Sequence, residues 1–198
     1  RLPLPVLLPL ASHFIATLRK PDVVETVISA LDVGSTETKP LITLCRQHAL
    51  YGALVHVYTK GPGRNFLAPL EFMMQQLAVP TLPAQERARL ATFILSFVTG
   101  ALKSGRGALG TEEEVAARRS SMLSYLLEPP DAAPIRSLLA ADPRATFQFL
   151  TAAFADLPEG KGSSRQTMLA SLVRMVVPMG GLAASELCVG DVAAVLGL

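Results

Sequence analysis

Leu41-Ile42-Thr43-Leu44-Cys45-Arg46-Gln47-His48-Ala49-Leu50-Tyr51-Gly52-Ala53-Leu54-Val55-His56-Val57-Tyr58 is the stretch on which the reading of the fold turns. Its apolar residues form two sets at helical spacing: Leu41, Ile42, Leu44 and Cys45, then Leu50, Tyr51, Leu54, Val55, Val57 and Tyr58. Side chains three and four residues apart share a helix face, so each set marks one amphipathic helix. Pro40 stands where a first-turn proline is tolerated. Lys60-Gly61-Pro62-Gly63 supplies a stop: a cation at the helix end, then glycine, then proline. Arg46 and His48 stay polar at the turn. The stretch therefore predicts a helical hairpin in which Leu41, Leu44 and Cys45 face Leu50, Leu54 and Val57, with Gly52 and Ala53 small enough to let the two axes approach.

The same logic extends in both directions. Pro21-Asp22 opens a helix that runs to Leu31, with Val23, Val24, Val27, Ile28 and Leu31 at helical spacing. Further helices are expected at about Phe66–Ala78, Pro83–Lys103, Ala133–Ala140, Pro143–Asp156, Ser164–Val177 and Gly190–Leu196. The second half of the Pro83–Lys103 helix is apolar nearly all round, the pattern of a helix buried on several sides. Thr111 followed by Glu114 forms a capping box, and Glu112 and Glu113 suit the positive end of the helix dipole that starts there. That helix stops at Glu128-Pro129-Pro130. Residues 104–110 read as a flexible glycine-rich loop. The expected class is all-α: eight or more helices in an α-solenoid of antiparallel hairpins, one segment over residues 1–198.

Composition narrows the function. Half of the 198 residues are hydrophobic and only 17% are charged, against roughly 25% in an average domain. The formal net charge is +2, with no basic stripe interleaved with aromatics, so nucleic acid is not expected as a partner. Cys45 and Cys188 are the two cysteines, too few for a disulfide framework or a RING, and they point to a reducing compartment. Arg1–Leu10 imitates a signal peptide, but three prolines interrupt its apolar run. The ends, Arg1 and Leu198, read as cuts through a longer chain. An apolar face is accordingly expected near Val6–Leu10 or Val192–Leu196, where a neighbouring repeat would lie.

Motifs for chemistry are weak. Gly105–Gly110 spells G-x-G-x-x-G, but a helix precedes it and three glutamates follow it, which would repel a pyrophosphate. Gly160-Lys161-Gly162 lacks the spacing of a phosphate loop. Cys45 and His48 stand as C-x-x-H without a second ligand pair. A helical hydrolase or transferase pairing Cys45 or Cys188 with His13 or His56 stays open at this point, as does a clathrin-type coat or adaptor solenoid. No cofactor, metal site or catalytic residue is assigned. The aromatics Tyr51, Phe66, Phe72, Phe93, Phe97, Phe147, Phe149 and Phe154 sit among aliphatics at helical positions and read as interhelical packing.

The run from Leu44 to Tyr58 resembles the helical hairpin of the vacuolar protein sorting-associated protein 8 family, on Cys45, Arg46, His48, Leu50, Tyr51, Ala53, Leu54 and Tyr58. Phe66 and Pro69 match the aromatic and proline that follow in the family. Asp142, Arg144, Leu150, Phe154 and Asp156 fit a second family-like spacing on one helix. His56, Thr59 and Arg64-Asn65 depart from the family pattern. The resemblance implies a clathrin-heavy-chain-repeat-like scaffold within a CORVET-type tethering subunit, cytoplasmic and peripheral on endosome membranes. Its implied partners are the class C core, other tethering-complex subunits and, through the full-length protein, an early-endosomal Rab GTPase.

Overall fold

The computed structural model describes residues 4–34, 37–102, 111–127 and 133–155. The expected loop at 104–110, the helices expected at 164–177 and 190–196, and Cys188 lie outside them. The described residues form nine α-helices and no strand. They are α1 (Leu4–Ala16), α2 (Pro21–Ser29), α3 (Lys39–Gln47), α4 (Tyr51–Lys60), α5 (Leu67–Leu77), α6 (Ala84–Leu102), α7 (Glu112–Leu127), α8 (Ala133–Ala141) and α9 (Pro143–Ala155). Among the described residues the all-helical expectation is met, and the boundaries predicted for α2 to α9 fall within two residues of those observed.

Helix α1 is an addition to the sequence reading. Pro9 lies inside it, where a proline removes one i→i−4 hydrogen bond. The carbonyl so freed belongs to Pro5, and both prolines are solvent-exposed. Water can serve that carbonyl, so the helix tolerates a residue that reads in the sequence as an interruption.

The chain divides into two compact units, residues 1–72 and 73–198, with the boundary inside α5. In the first unit α1 packs on α2 and α3 on α4; α1 also packs on α3, and α2 on α4. That pattern is two hairpins, α1–α2 and α3–α4, stacked helix on helix. The connections at 17–20 and 48–50 are too short for anything but antiparallel partners. A Cβ at Gly61, just past α4, would lie 3.1 Å from Thr38 Cγ2, just before α3, which confirms the sense of the second hairpin. Leu7, Ala11, Val24, Ile28, Leu41, Leu44, Cys45, Leu50, Ala53, Leu54 and Val57 form one core, with Val33 joining from the connection after α2. Burying a side chain of leucine size contributes about 1.5–3 kcal/mol.

In the second unit α6 packs on α7, α8 and α9, α7 on α8, and α8 on α9. Leu90, Ala91, Ile94, Leu95, Val98, Ala101 and Leu102 of α6 are buried, as a helix touched by three others requires. Its last carbonyls are served by the following helix: Arg118 Nη1 donates to Ala101 O (3.4 Å) and Arg119 Nη2 to Leu102 O (2.8 Å). Cations at a helix C-terminus also oppose its dipole. At the other end of α6, Arg87 Nη2 donates to the carbonyls of Leu82 and Pro80 (both 3.3 Å), tying the connection from α5 to the helix it opens.

Candidate functional site

The part of the molecule with the most specific chemistry is the joint between the two stacked hairpins. Helix α4 starts with no capping side chain, since Leu50 occupies its N-cap. A helix start leaves four N–H groups without intrahelical partners. Here Glu25, half-buried on α2, supplies the acceptor: its Oε1 takes the N–H of Gly52 and the N–H of Ala53 (3.1 Å). A carboxylate at this end also meets the positive pole of the helix. Further along the same pair of helices, His56 Nε2 donates to the carbonyl of Leu31 (2.9 Å), just beyond α2. The contacts 25 to 52–53 and 31 to 56 advance together, so α2 and α4 run parallel, as equivalent helices of successive hairpins do.

Gly52 therefore has a different task from the one its size suggests. The sequence reading assigns it to close approach of α3 and α4. A Cβ at this position would lie 2.8 Å from Glu25 Oε1, so the missing side chain makes room for a carboxylate from the neighbouring hairpin.

The turn between α3 and α4 is held by backbone. Ala49 has φ 52°, the left-handed region, and Leu50 N–H bonds Cys45 O (2.9 Å). This is the helix-terminating arrangement in which glycine usually holds the left-handed place. Beside it, Arg46 Nη2 donates to the Tyr58 hydroxyl (3.0 Å), and its guanidinium carbon lies 5.3 Å from the centroid of the Phe72 ring. Tyr51 meets the same ring at 6.5 Å between centroids. Arg46, Tyr51, Tyr58 and Phe72 thus form one aromatic–cation cluster, in a range where a guanidinium is attracted to a ring face.

The structure gathers the first group of family-like residues. Cys45, Leu50, Ala53 and Leu54 share the core, Tyr58 packs against it, and Arg46, Tyr51 and His48 surround the turn. Of the second group, Arg144, Leu150 and Phe154 share α9 as expected. Asp142 precedes α9 and caps it: Oδ1 accepts the Ala145 N–H (3.0 Å) while its carbonyl accepts the Thr146 N–H (3.1 Å). Aspartate is favoured there because its short side chain reaches back to the first turn. Arg144 is exposed on that first turn. Phe154 falls in α9, but its side chain, like the whole of Asp156, lies outside the described residues. The departures have local explanations too. Asn65 Oδ1 accepts the N–H groups of Leu67 and Ala68 (2.9 and 3.0 Å) and so caps α5. Buried Thr59 donates its hydroxyl to Val55 O (2.8 Å).

Burial pushes the Cys45 thiol up to about 12, with the negative charge of Glu25 adding to the effect. Such a thiol stays protonated and inert. His56, named with it as a possible base, spends Nε2 on a carbonyl. Among the described residues no three His, Cys, Asp or Glu side chains are grouped to hold a metal ion, and no helix is long and apolar enough to cross a membrane.

Comparison with known proteins follows the same lines. The family model described as Vps8 central TPR matches residues 1–129. A human protein, vacuolar protein sorting-associated protein 8 homolog, is 25% identical over 153 residues, covering 70% of this chain and 11% of the relative. The chain thus spans about a tenth of that relative's length. No solved structure matches.

Proposed function

The chain belongs to the Vps8 central TPR family, and from that premise we propose that it is a scaffold segment of an endosomal membrane-tethering subunit of the CORVET type, acting in protein transport to the vacuole or lysosome. The match over residues 1–129 carries this reading, because it covers the stacked hairpins together with their joint. The work of such a segment is mechanical. It sets the distance and angle between surfaces that other subunits bind, and it needs helix pairs in fixed register rather than a reacting group. The protonated thiol of Cys45 and the structural use of His56 favour this over a Cys–His hydrolase.

In this proposal the partners are the class C core and its associated tethering subunits, with an early-endosomal Rab GTPase engaged through the full-length protein. The protein is then cytoplasmic and peripheral on endosome membranes, and the segment uses no cofactor. Affinity capture from cells expressing the tagged full-length protein tests it. Recovery of class C core subunits is the expected result; recovery of clathrin-type coat subunits without them would overturn it.

A further inference from the structure

The first hairpin has two sides, and the sequence rows of its helices tell them apart. Its buried rows are Leu7 and Ala11 on α1 and Val24 and Ile28 on α2. One residue later in each row stand Leu8, packed against the core, and Glu25, bonded to α4. That later row faces the second hairpin. One residue earlier stand Val6 and Leu10 on α1 and Val23 and Val27 on α2. Each lies two positions from Leu8 or Glu25, a rotation of about 200° around its helix. In an antiparallel pair of right-handed helices the earlier rows of both fall on one side of the hairpin. Here that side is turned away from α3–α4.

All four residues of this side are apolar, yet they are exposed: Val6 by 50%, Leu10 by 43%, Val23 by 37% and Val27 by 43%. No other described part of the chain shows two such pairs at i, i+4 spacing. Contiguous exposed apolar surface of this kind marks a place where another element packs. We propose that it is a stacking face, covered by one further helix hairpin of the same polypeptide, set against α1–α2 in the sense in which α1–α2 is set against α3–α4. The occupant follows from continuity with the interface already present: one more step of the stack places a helix pair there. The human relative is long enough to supply it, since the aligned part of this chain makes up 11% of that protein. The inference rests on the reading of the chain as a segment of a scaffold.

Thiol labelling tests it. Leu10→Cys and Val27→Cys are made singly with Cys188→Ser, Cys45 being buried, and Thr26→Cys on exposed α2 surface serves as control. Each is labelled with a maleimide in the 198-residue chain and in the longest polypeptide that its gene encodes. The expected result is labelling at positions 10 and 27 at least tenfold slower in the longer polypeptide, with the control unchanged. Equal rates in the two samples would overturn the proposal. So would protection in the 198-residue chain that grows with its concentration, which assigns the face to a second copy. Protection of the longer polypeptide only after class C subunits are added would overturn it as well, while leaving the tethering function standing. Val6→Cys and Val23→Cys replace either variant that shifts the thermal midpoint.

Discussion

In the first unit a carboxylate crosses from α2 to cap α4, and a histidine crosses back from α4 to the end of α2. In the second unit α6 touches α7, α8 and α9, and Arg118 and Arg119 of α7 donate to the carbonyls that end α6. The difference follows from topology. A helix touched by three others, as α6 is, has its register fixed by packing, because sliding it opens a cavity against each of them. The stacked hairpins have no such central helix: each of the four packs on two others. A hairpin with apolar faces could slide along its neighbour by a turn at small cost in buried area. A charged group that must meet two particular N–H groups removes that freedom, because every other register leaves a half-buried carboxylate without partners.

The comparison breaks first at the apolar cores if it is wrong. Leu54 in the first unit and Leu150 in the second are fully buried, and either change to alanine should destabilise by about 2–5 kcal/mol. Urea denaturation followed by circular dichroism reads this directly. A midpoint unchanged by Leu54→Ala would mean that the hairpins do not share a core.

The polar joint comes next. Gly52→Ala sets a methyl against Glu25 and should cost about 1–3 kcal/mol; Glu25→Ala orphans the same two N–H groups at a similar cost. The double variant should cost clearly less than the sum of the two, since both remove one interaction. Strict additivity would show that the carboxylate does not hold the stack. Hydrogen exchange at the Gly52 and Ala53 amides should accelerate in Glu25→Ala while the α7 amides keep their protection.

Asp142→Ala, at the start of α9, removes a cap confined to the second unit. Its expected cost is about 1 kcal/mol, read as a fall in thermal midpoint. The smallest expected effect has the opposite sign. Ala49→Gly relieves a left-handed alanine but loosens the unfolded chain, and the net gain should be about 0.5 kcal/mol. A loss of stability on this change would mean that the turn adopts another conformation.

Much of this was legible in the residues. The 41–58 hairpin announces itself because its apolar spacing, its proline and its glycine stop agree. The Thr111–Glu114 capping box is likewise visible in the sequence and present as two reciprocal hydrogen bonds of 2.9 and 3.3 Å. What escaped reading is non-local or exceptional. Glu25 looks like any solvated glutamate on a helix, because its partners lie 27 and 28 residues away. The available hint was negative: a helix beginning at Leu50-Tyr51 has no residue of its own to cap it. Ala49 carries no sign of its left-handed turn, since glycine is the usual marker and is absent. Helix α1 hides behind prolines that are harmless only because they face water.

Cys45 gives the first unit an internal clock. With its thiol pushed up to about 12 by burial, the sulfur stays protonated at neutral pH, so in the closed hairpin stack it answers reagents extremely slowly. Once the stack opens, the same sulfur meets solvent with an ordinary acidity, near 8.5, and reacts. Its modification rate in the native protein, at reagent concentrations where opening limits the reaction, therefore counts how often the two hairpins come apart. For a part that is proposed to hold other proteins at a set spacing, that frequency is the time over which the spacing can be relied upon.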